Sequence, residues 1–294
     1  MPAPSVGATL TAQANVMERE AAMALHTVPL DGGVALAVED EGAGHPIVFL
    51  HAGVSTRNMW DRQWGWLGHG FRVIRWDWRG FGDTPHVPGP YSYVEDLIRV
   101  LDALELPPVT IVGCSFGGGV ALHLAEEHPE RVERLALVAS GLPGWEGETP
   151  PDVGALFSQL EEAFGENDIP RALDLMERLW LIGPRRTRED VDPRYLSEAR
   201  ALLERADRPD NGAVSRDRGW SALPLLDSLA VPVLVVAGSE DVPSVLDGGR
   251  AIADRVPGAR MAVIDGAAHL PNMERPRHFD AILADWLAET AAHR

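Results

Sequence analysis

A serine flanked by glycines lies between a β-branched run and a glycine-rich apolar segment. The sequence Gly113-Cys-Ser115-Phe-Gly117 follows Val109–Val112 and precedes a stretch typical of a helix. This G-x-S-x-G spacing indicates a sharp turn from strand to helix, where glycine leaves room beside a nucleophile on a strained backbone. The predicted chemistry is attack by the Ser115 hydroxyl on a substrate carbonyl. The alternative is a serine that only caps the helix.

A serine hydroxyl is barely ionised at neutral pH, so it needs a base and an acid that orients the base. Downstream, the strand-like run Val231–Ala237 leads to Asp241, and Arg260–Ile264 leads to His269. The carboxyl ends of parallel strands meet at one edge of a sheet. The sequence therefore predicts that Asp241 orients His269, which acts as the base for Ser115.

Other side chains near these loops compete for the same roles. Glu240 directly precedes Asp241, and Asp265 lies shortly before His269, so each is a rival acid. Asp241 is favoured because its loop would reach the far side of the imidazole. Cys114 is the only cysteine, and its side chain is predicted to turn into the core rather than act as a nucleophile.

Two backbone N–H groups are predicted to stabilise the oxyanion formed during attack. The Phe116 N–H directly follows the nucleophile. The second donor would come from the loop after His51, either from Gly53, whose backbone can approach a ligand closely, or from its rival Val54. Each such donor typically contributes roughly 3 kcal/mol in the transition state. His51 itself is predicted to shape this loop.

Strand and helix patterns alternate on both sides of these residues, which predicts an α/β fold with a mostly parallel, doubly wound sheet and helices on both faces. A turn at Asp31–Gly33 joins the first two predicted strands. The predicted strands are Ala24–Leu30, Gly33–Glu39, Pro46–His51, Phe71–Trp76, Val132–Ala139, Val231–Ala237 and Arg260–Ile264, and the predicted helices are Met59–Leu67, Ser92–Leu106, Ser244–Val256 and Arg275–Glu289.

The alternation stops between about Gly141 and Trp220. Consecutive amphipathic helices replace it there, which predicts a helical cap, residues 141–220, inserted into a core domain formed by residues 24–140 and 221–294. The predicted cap helices are Pro151–Phe164, Asp168–Leu181 and Asp192–Ala206.

Residues 1–23 carry no hydrophobic segment like that of a signal peptide. We expect a disordered tail or a misplaced start, with Met17 as a plausible beginning. A single cysteine cannot form an internal disulfide, and no apolar run approaches the length of a membrane span. These features predict a cytoplasmic protein with no membrane partner.

The charge of the chain excludes further classes of function. A formal net charge of −18 over 294 residues argues against a nucleic-acid-binding surface, which needs a basic stripe. All 26 basic residues are arginine. The absence of lysine excludes a Schiff-base lysine and a Walker lysine.

Taken together, these motifs resemble those of the α/β-hydrolase family over His26–Leu287. His51-Ala-Gly53 is similar to that family's oxyanion loop, with alanine at the usual glycine. The segment Asp77–Thr84 is similar to its D-x-R-G-x-G-x-S/T loop, which we expect to be structural. Gly113–Gly117 matches the nucleophile elbow, and the acid and base loops match as well.

Several branches of the family can be weighed by their motifs. Haloalkane dehalogenases and epoxide hydrolases carry an aspartate nucleophile, so Ser115 argues against both. The His-Gly-Gly-Pro of prolyl iminopeptidases is absent, and Val54–Asn58 is a poor match to the Gly/Ser-rich loop of carbon–carbon bond hydrolases. The segment Trp76–Val94 looks most like the 3-oxoadipate enol-lactonase branch.

The resemblance implies a serine hydrolase that cleaves a small carboxylic ester or lactone through an acyl-enzyme, with neither a metal nor a cofactor. The alternatives are a lyase, a cyclase, a carbon–carbon bond hydrolase or a cofactor-free haloperoxidase on the same fold, or a ligand-binding protein without catalysis.

Specificity is expected to depend on the cap, in the gap beneath its helices. Trp145, Trp180 and Trp220 are candidates to line that pocket, although packing between cap and core is the favoured role for each. Arg185 and Arg186 could bind a substrate carboxylate, but solvation at a helix end is the favoured interpretation.

Overall fold

The computed structural model describes residues 23–206 and 213–291. Within these residues, eight strands form one sheet in the order β1-β2-β4-β3-β6-β7-β9-β10. The remaining two, β5 and β8, pair separately. The strands are β1 (Ala24–Pro29), β2 (Ala35–Gly42), β3 (Pro46–Leu50), β4 (Arg72–Arg75), β5 (Gly89–Tyr91), β6 (Val109–Cys114), β7 (Val132–Val138), β8 (Ala213–Ser215), β9 (Val233–Gly238) and β10 (Arg260–Ile264).

The main sheet is antiparallel at one edge and parallel elsewhere. β2 pairs antiparallel with both β1 and β4, whereas every pairing from β4 through β3 to β10 is parallel. Every residue of β3, β6 and β9 is buried, as expected for strands covered on both faces. The carboxyl ends of β6, β7, β9 and β10 therefore lie side by side.

Helices cover both faces of the sheet, as the alternation predicts. A large hydrophobic cluster lies on each face of the sheet. Helices α2, α3 and α7 cover one cluster, and α1 and α9 cover the other. The helices are α1 (Asp61–Leu67), α2 (Tyr93–Ala103), α3 (Phe116–Glu127), α4 (Pro151–Gly165), α5 (Ile169–Met176), α6 (Pro193–Ala206), α7 (Pro243–Arg255), α8 (Pro271–Glu274) and α9 (Pro276–Ala291).

Three α-helices, α4 to α6, lie between β7 and β8 along the chain. The predicted helix Asp168–Leu181 is divided into α5 and a π-helix, Glu177–Ile182, which carries Trp180. The sequence does not distinguish the two kinds of helical turn here, because a π-helix of six residues is too short to show a period of its own. α4 and α5 share a small hydrophobic cluster with Val242, which follows β9. They therefore pack near the end of that strand.

The two-stranded sheet of β5 and β8 is not predicted from the sequence. Gly89 to Tyr91 pair parallel with Ala213 to Ser215. Each strand is three residues long and one contains proline, so neither shows an alternating pattern. This small sheet joins the segment before α2 to the segment that follows the inserted helices.

The Asp77–Thr84 loop is held by buried polar contacts, in agreement with a structural role. The Arg79 guanidinium donates Nε to Asp96 Oδ2 at 3.0 Å and Nη2 to Asp96 Oδ1 at 2.8 Å. Both side chains are buried. The Asp77 carboxylate accepts the Asp83 N–H at 3.1 Å and pairs with Arg57. The loop is thus fixed at both its ends before α2 begins.

The predicted N-terminal tail, residues 1–23, lies outside the described residues except for Met23. Among the helices of the described ranges, none is long and apolar enough to span a membrane.

We expect Arg79→Ala to lower the free energy of unfolding by about 3–5 kcal/mol, because it leaves the buried Asp96 carboxylate unpaired. Chemical denaturation followed by circular dichroism measures this loss. Arg99→Ala is the matched control, because the Arg99–Asp31 pair is exposed to solvent and should contribute little. Equal destabilisation by the two substitutions would contradict the structural role assigned to Arg79.

Candidate active site

Ser115 occupies the turn between β6 and α3 in a conformation that few non-glycine residues adopt. Its φ is +51° and its ψ is −114°. Such a backbone is strained and persists only where the surrounding structure fixes it. The Ser115 N–H donates to the Val138 carbonyl at 2.9 Å, and the Ser115 carbonyl accepts from Gly118 N at 3.0 Å. The turn is therefore held from the neighbouring strand and from its own helix.

Glycine is required on both sides of this turn by close backbone approach. A Cβ atom at Gly113 would lie 2.7 Å from the Gly117 carbonyl oxygen, and one at Gly117 would lie 2.6 Å from the Leu50 carbonyl oxygen. Real Cβ atoms essentially never approach backbone oxygens so closely. The glycines that flank the serine in the sequence are thus explained by space.

His269 and Asp241 lie beside Ser115 in the order expected. His269 Nε2 is 2.7 Å from Ser115 Oγ, and His269 Nδ1 is 2.9 and 3.0 Å from the two oxygens of Asp241. Asp241 also accepts the Val242 N–H at 2.7 Å. Asp241 and His269 are both buried. Because β9 and β10 are paired in parallel, the loops that follow them bring the acid and the base together.

The two rival acids do not contact His269. Glu240 Oε1 accepts a hydrogen bond from Ser239 Oγ at 3.1 Å. Asp265 is exposed and lies 3.5 Å from the same hydroxyl. Of the three carboxylates considered from the sequence, Asp241 alone is within hydrogen-bond distance of the imidazole.

Phe116 and Gly53 approach each other beside the serine hydroxyl. Phe116 is the first residue of α3, where a main-chain N–H has no acceptor within its own helix. A Cβ atom built on Gly53 would lie 3.7 Å from Phe116 Cβ, so the loop after β3 runs directly past the start of α3. The N–H groups of these two residues are the candidates to bind an oxyanion.

His51 fixes the loop that carries Gly53. Its Nδ1 lies 2.9 Å from the Ala52 carbonyl oxygen, and its Nε2 accepts the Trp78 N–H at 3.0 Å. Complete burial lowers the pKa of His51 to about 4. The imidazole is therefore neutral at physiological pH, with Nδ1 as donor and Nε2 as acceptor, and it connects the loop to the segment after β4.

Cys114 precedes the serine but points away from the cavity. Its side chain is fully buried, and Sγ lies 3.7 Å from the carbonyl oxygen of His269. Burial raises the pKa of the Cys114 thiol well above its ordinary value, and the charge of Asp241 adds to the increase. A neutral buried thiol is a poor nucleophile, which leaves Ser115 as the candidate nucleophile of this turn.

The π-helix places Trp180 against the base. The centres of the Trp180 indole and the His269 imidazole are 4.4 Å apart. The main-chain N–H of His269 also donates to the main-chain carbonyl of Trp180 at 3.2 Å. The indole also packs edge-on against Phe157 of α4. The inserted helices thus cover the histidine, and Trp180 combines packing with a direct contact to the site.

Arg186 belongs to a buried ion pair that braces the base loop. Its guanidinium pairs with Glu274, with Nη1 2.9 Å from Oε1, and also donates to the carbonyls of Ile182 and Gly266 at 2.6 and 2.9 Å. Glu274 in turn accepts the Ala268 N–H at 2.7 Å. The favoured prediction that Arg186 is solvated is wrong, because these partners follow from the tertiary fold and not from its position at a helix end.

A cavity of about 470 Å³ opens beside Ser115. One wall is the face of α3 from Ser115 to His123. Among the described residues, none from the helices between 151 and 206 lines it. The expected pocket beneath those helices is therefore displaced toward the small β5–β8 sheet. Its other walls include Tyr91, Tyr93, Leu142, Pro143, Arg218 and Trp220.

The three tryptophans proposed as pocket residues have different positions. Trp220 lines the cavity and stacks on His123, with ring centres 4.2 Å apart. Trp180 contacts the base, and Trp145 is partly exposed and does not line the cavity. The pocket residues Tyr91 and Arg218 were not singled out from the sequence, because their loops become adjacent only through the unpredicted β5–β8 pairing.

Comparisons with known proteins bear on the family and the fold. A family model described as alpha/beta hydrolase fold matches residues 45–276. The chain is 30% identical over 278 residues to the 2-hydroxymuconate semialdehyde hydrolase of Pseudomonas sp. (strain CF600), a match that covers 88% of this chain and 93% of that protein.

Two solved structures are also similar to this chain. One is Est816, described as an N-acyl homoserine lactone degrading enzyme, with 31% identity, a TM-score of 0.74 and coverage of 88% of this chain and 99% of that one. The other is the enol-lactonase from Burkholderia xenovorans LB400, with 25% identity, a TM-score of 0.71 and coverage of 90% and 100%.

The predicted family and fold class are confirmed by these matches. The family model spans most of the chain, and the three similar proteins described above are named as a hydrolase, a lactone-degrading enzyme and an enol-lactonase. The mostly parallel sheet with helices on both faces is the architecture that the motifs predict. The chain belongs to the α/β-hydrolase fold family of enzymes.

Proposed function

We propose that this protein is a serine hydrolase that cleaves a small carboxylic ester or lactone through an acyl-enzyme. The observation that carries the proposal is the continuous hydrogen-bonded chain from Ser115 Oγ through His269 to Asp241, placed at the edge of a cavity. Nucleophile, base and orienting acid in this order define a general mechanism of acyl transfer.

In the first half of the reaction, Ser115 Oγ attacks the substrate carbonyl carbon while His269 Nε2 takes the hydroxyl proton. Asp241 holds Nδ1–H and stabilises the imidazolium that forms. The tetrahedral intermediate collapses, the carbon–oxygen bond to the alcohol breaks, and His269 returns the proton to that oxygen. In a lactone the alcohol stays attached to the acyl group.

In the second half, water attacks the acyl-enzyme and His269 takes its proton. The carboxylic acid leaves as Ser115 recovers the proton. The N–H groups of Gly53 and Phe116 are proposed to bind the negatively charged oxygen in both halves, each contributing roughly 3 kcal/mol to the transition state. No step requires a metal or an organic cofactor.

The domain division is part of the proposal. Residues 24–140 and 221–294 form the catalytic core, and residues 141–220 form a cap that covers His269 through Trp180. A single buried cysteine and the lack of an internal disulfide favour a reducing compartment such as the cytoplasm.

Hydrolysis of a carbon–carbon bond is the second candidate, favoured by the similarity to the 2-hydroxymuconate semialdehyde hydrolase. The sequence after His51 favours the ester or lactone reaction. Product analysis separates the two. The protein is incubated separately with 2-hydroxymuconate semialdehyde and with aliphatic esters and lactones. If the first candidate is correct, the esters or lactones are hydrolysed and the semialdehyde is not. Cleavage of the semialdehyde would support the second candidate.

Ser115→Ala should reduce ester hydrolysis by at least about 10⁴-fold and leave the melting temperature close to that of the wild type, because it removes the nucleophile alone. A spectrophotometric assay with 4-nitrophenyl acetate measures the loss. Labelling by a fluorophosphonate, located by mass spectrometry, should modify Ser115 in the wild type and nothing in the variant. Retained hydrolysis by the variant would rule out the proposed mechanism.

Asp241→Asn should lower kcat by about 10³- to 10⁴-fold, because an amide cannot hold the imidazole in the required tautomer. Asp265→Asn is the matched control, since Asp265 is the neighbouring acid that does not contact His269. It should leave kcat within about two-fold of the wild type. A large loss in the control variant with a small loss in Asp241→Asn would reassign the acid.

Glu274→Gln should lower kcat by about 10- to 100-fold with little change in KM, because weakening the brace to Arg186 displaces the loop that carries His269. Steady-state kinetics separate the two constants, and thermal melting reports whether the fold persists. Glu198→Gln, an exposed change on α6, is the control. A Glu274→Gln variant that melts lower but retains the wild-type kcat would contradict a positioning role.

A further inference from the structure

We propose that Arg218 binds a carboxylate at the end of the substrate remote from the bond that is cleaved. The favoured substrates are then monoesters or lactones whose acyl group carries a terminal carboxylate, rather than fully neutral esters. This inference rests on the proposed function and adds a substrate class to it. It depends on the shape of the cavity, on the anchoring of the segment that carries Arg218, and on the charges around that arginine.

The cavity extends along α3 away from the nucleophile. Ser115, Gly119 and His123 succeed one another at four-residue intervals on one face of the helix, and all of them line the cavity. A rise of 1.5 Å per residue gives roughly 12 Å between the first and the last. Trp220 stacks on His123 and so marks the remote end.

The walls between these two ends are largely apolar. Phe116 and Tyr93 meet edge to face with ring centres 4.8 Å apart, and Leu142 and Pro143 lie on the cavity as well. Such walls suit the methylene groups of an acyl chain. A polar group of the substrate would be placed where the lining becomes polar, near Trp220.

The chain on both sides of Arg218 is fixed by specific contacts. Asp217 accepts the Tyr93 N–H at 2.7 Å, and Arg216 donates its N–H to the Tyr91 carbonyl at 2.8 Å. On the other side, Trp220 is held by its stacking on His123 and by a hydrogen bond to Glu126. The backbone at Arg218 is therefore positioned even though its side chain is exposed.

Arg218 is the arginine that lines the cavity, and no carboxylate of the described residues lies within ion-pair distance of its guanidinium. Most other described arginines pair with an acid; Arg216 pairs with Glu95, for example. Asp217 is already engaged by the Tyr93 N–H. Arg218 lines the cavity of the nucleophile, and its exposed guanidinium, which has no acidic partner among the described residues, could bind a ligand carboxylate in a bidentate manner.

The position of Arg218 explains how an acidic protein could accept an anionic substrate. The overall charge repels anions at long range, but this repulsion is screened over about 8 Å at physiological ionic strength. A local guanidinium then determines binding within the cavity. Because Trp220, two residues from Arg218 in the chain, lies at the end of the cavity remote from Ser115, the favoured substrate has several methylenes between the two functional groups.

The test compares two 4-nitrophenyl esters of matched length, the monoester of adipic acid and the hexanoate, with wild type, Arg218→Gln and Arg216→Gln. We expect Arg218→Gln to lower kcat/KM for the adipate monoester by about 10-fold or more, and to leave kcat/KM for the hexanoate within about two-fold. Arg216→Gln is the matched control, because Arg216 is exposed and does not line the cavity. This control substitution should leave kcat/KM unchanged for both esters.

Arg218→Lys should retain part of the preference for the anionic ester, because it keeps the charge but loses the bidentate geometry. Equal effects of Arg218→Gln on both esters, or no effect on either, would overturn the carboxylate site and leave the proposed hydrolase intact. Failure of the wild type to hydrolyse either ester, together with no fluorophosphonate label on Ser115, would overturn the proposed function itself.

Discussion

A hydrogen bond of 2.7 Å between Ser115 Oγ and His269 Nε2 joins residues 154 positions apart in the chain. The surrounding elements of the fold hold the two side chains at this distance. The serine is presented by a strained turn, and the histidine by a loop after the last strand of the sheet. Parallel pairing of β6, β7, β9 and β10 aligns the strand ends, so that short loops are long enough to complete the contact.

The base loop is held by more than its strand. Its main chain is bonded to Glu274 and to the π-helix through the Trp180 carbonyl, and Arg186 connects both of these supports. Burying an ion pair has a large desolvation cost, and its net contribution to stability is often small. Its value here is geometric, because fixed partners on three sides define the direction of the imidazole. The inserted helices thus help to hold His269 beside Ser115.

Much of the site could be predicted from the sequence because it depends on local rules. The glycines around Ser115 reflect space at a tight turn, and Asp241 and His269 follow two strands, β9 and β10, that the sequence predicts. The ends of the main elements agree with the structure within a few residues. For these features, neighbouring residues in the chain carry enough information.

The remaining features depend on contacts between distant segments. The pairing of β5 with β8 involves three residues on each side and leaves no periodic pattern, so the sequence predicts Trp220 as a candidate pocket residue but not Tyr91 or Arg218. The π-helix and the buried partner of Arg186 likewise depend on how the inserted helices pack. The chain has 26 arginines, and the sequence does not show which of them have an acidic partner in the folded protein.

The parallel pairing of β5 with β8 has a consequence for how such a protein can diversify. It ties the segment that follows the inserted helices to the segment before α2, and nearby the Ala222 N–H donates to the Pro143 carbonyl at 2.9 Å, which joins the two ends of the insertion. The walls of the cavity come from α3, from the segment after β7, and from the small sheet with the segment that follows it, whereas the inserted helices contact His269 through Trp180. The residues that line the cavity and those that hold His269 thus lie on different segments, so substitutions in the cavity wall need not disturb the contacts of His269.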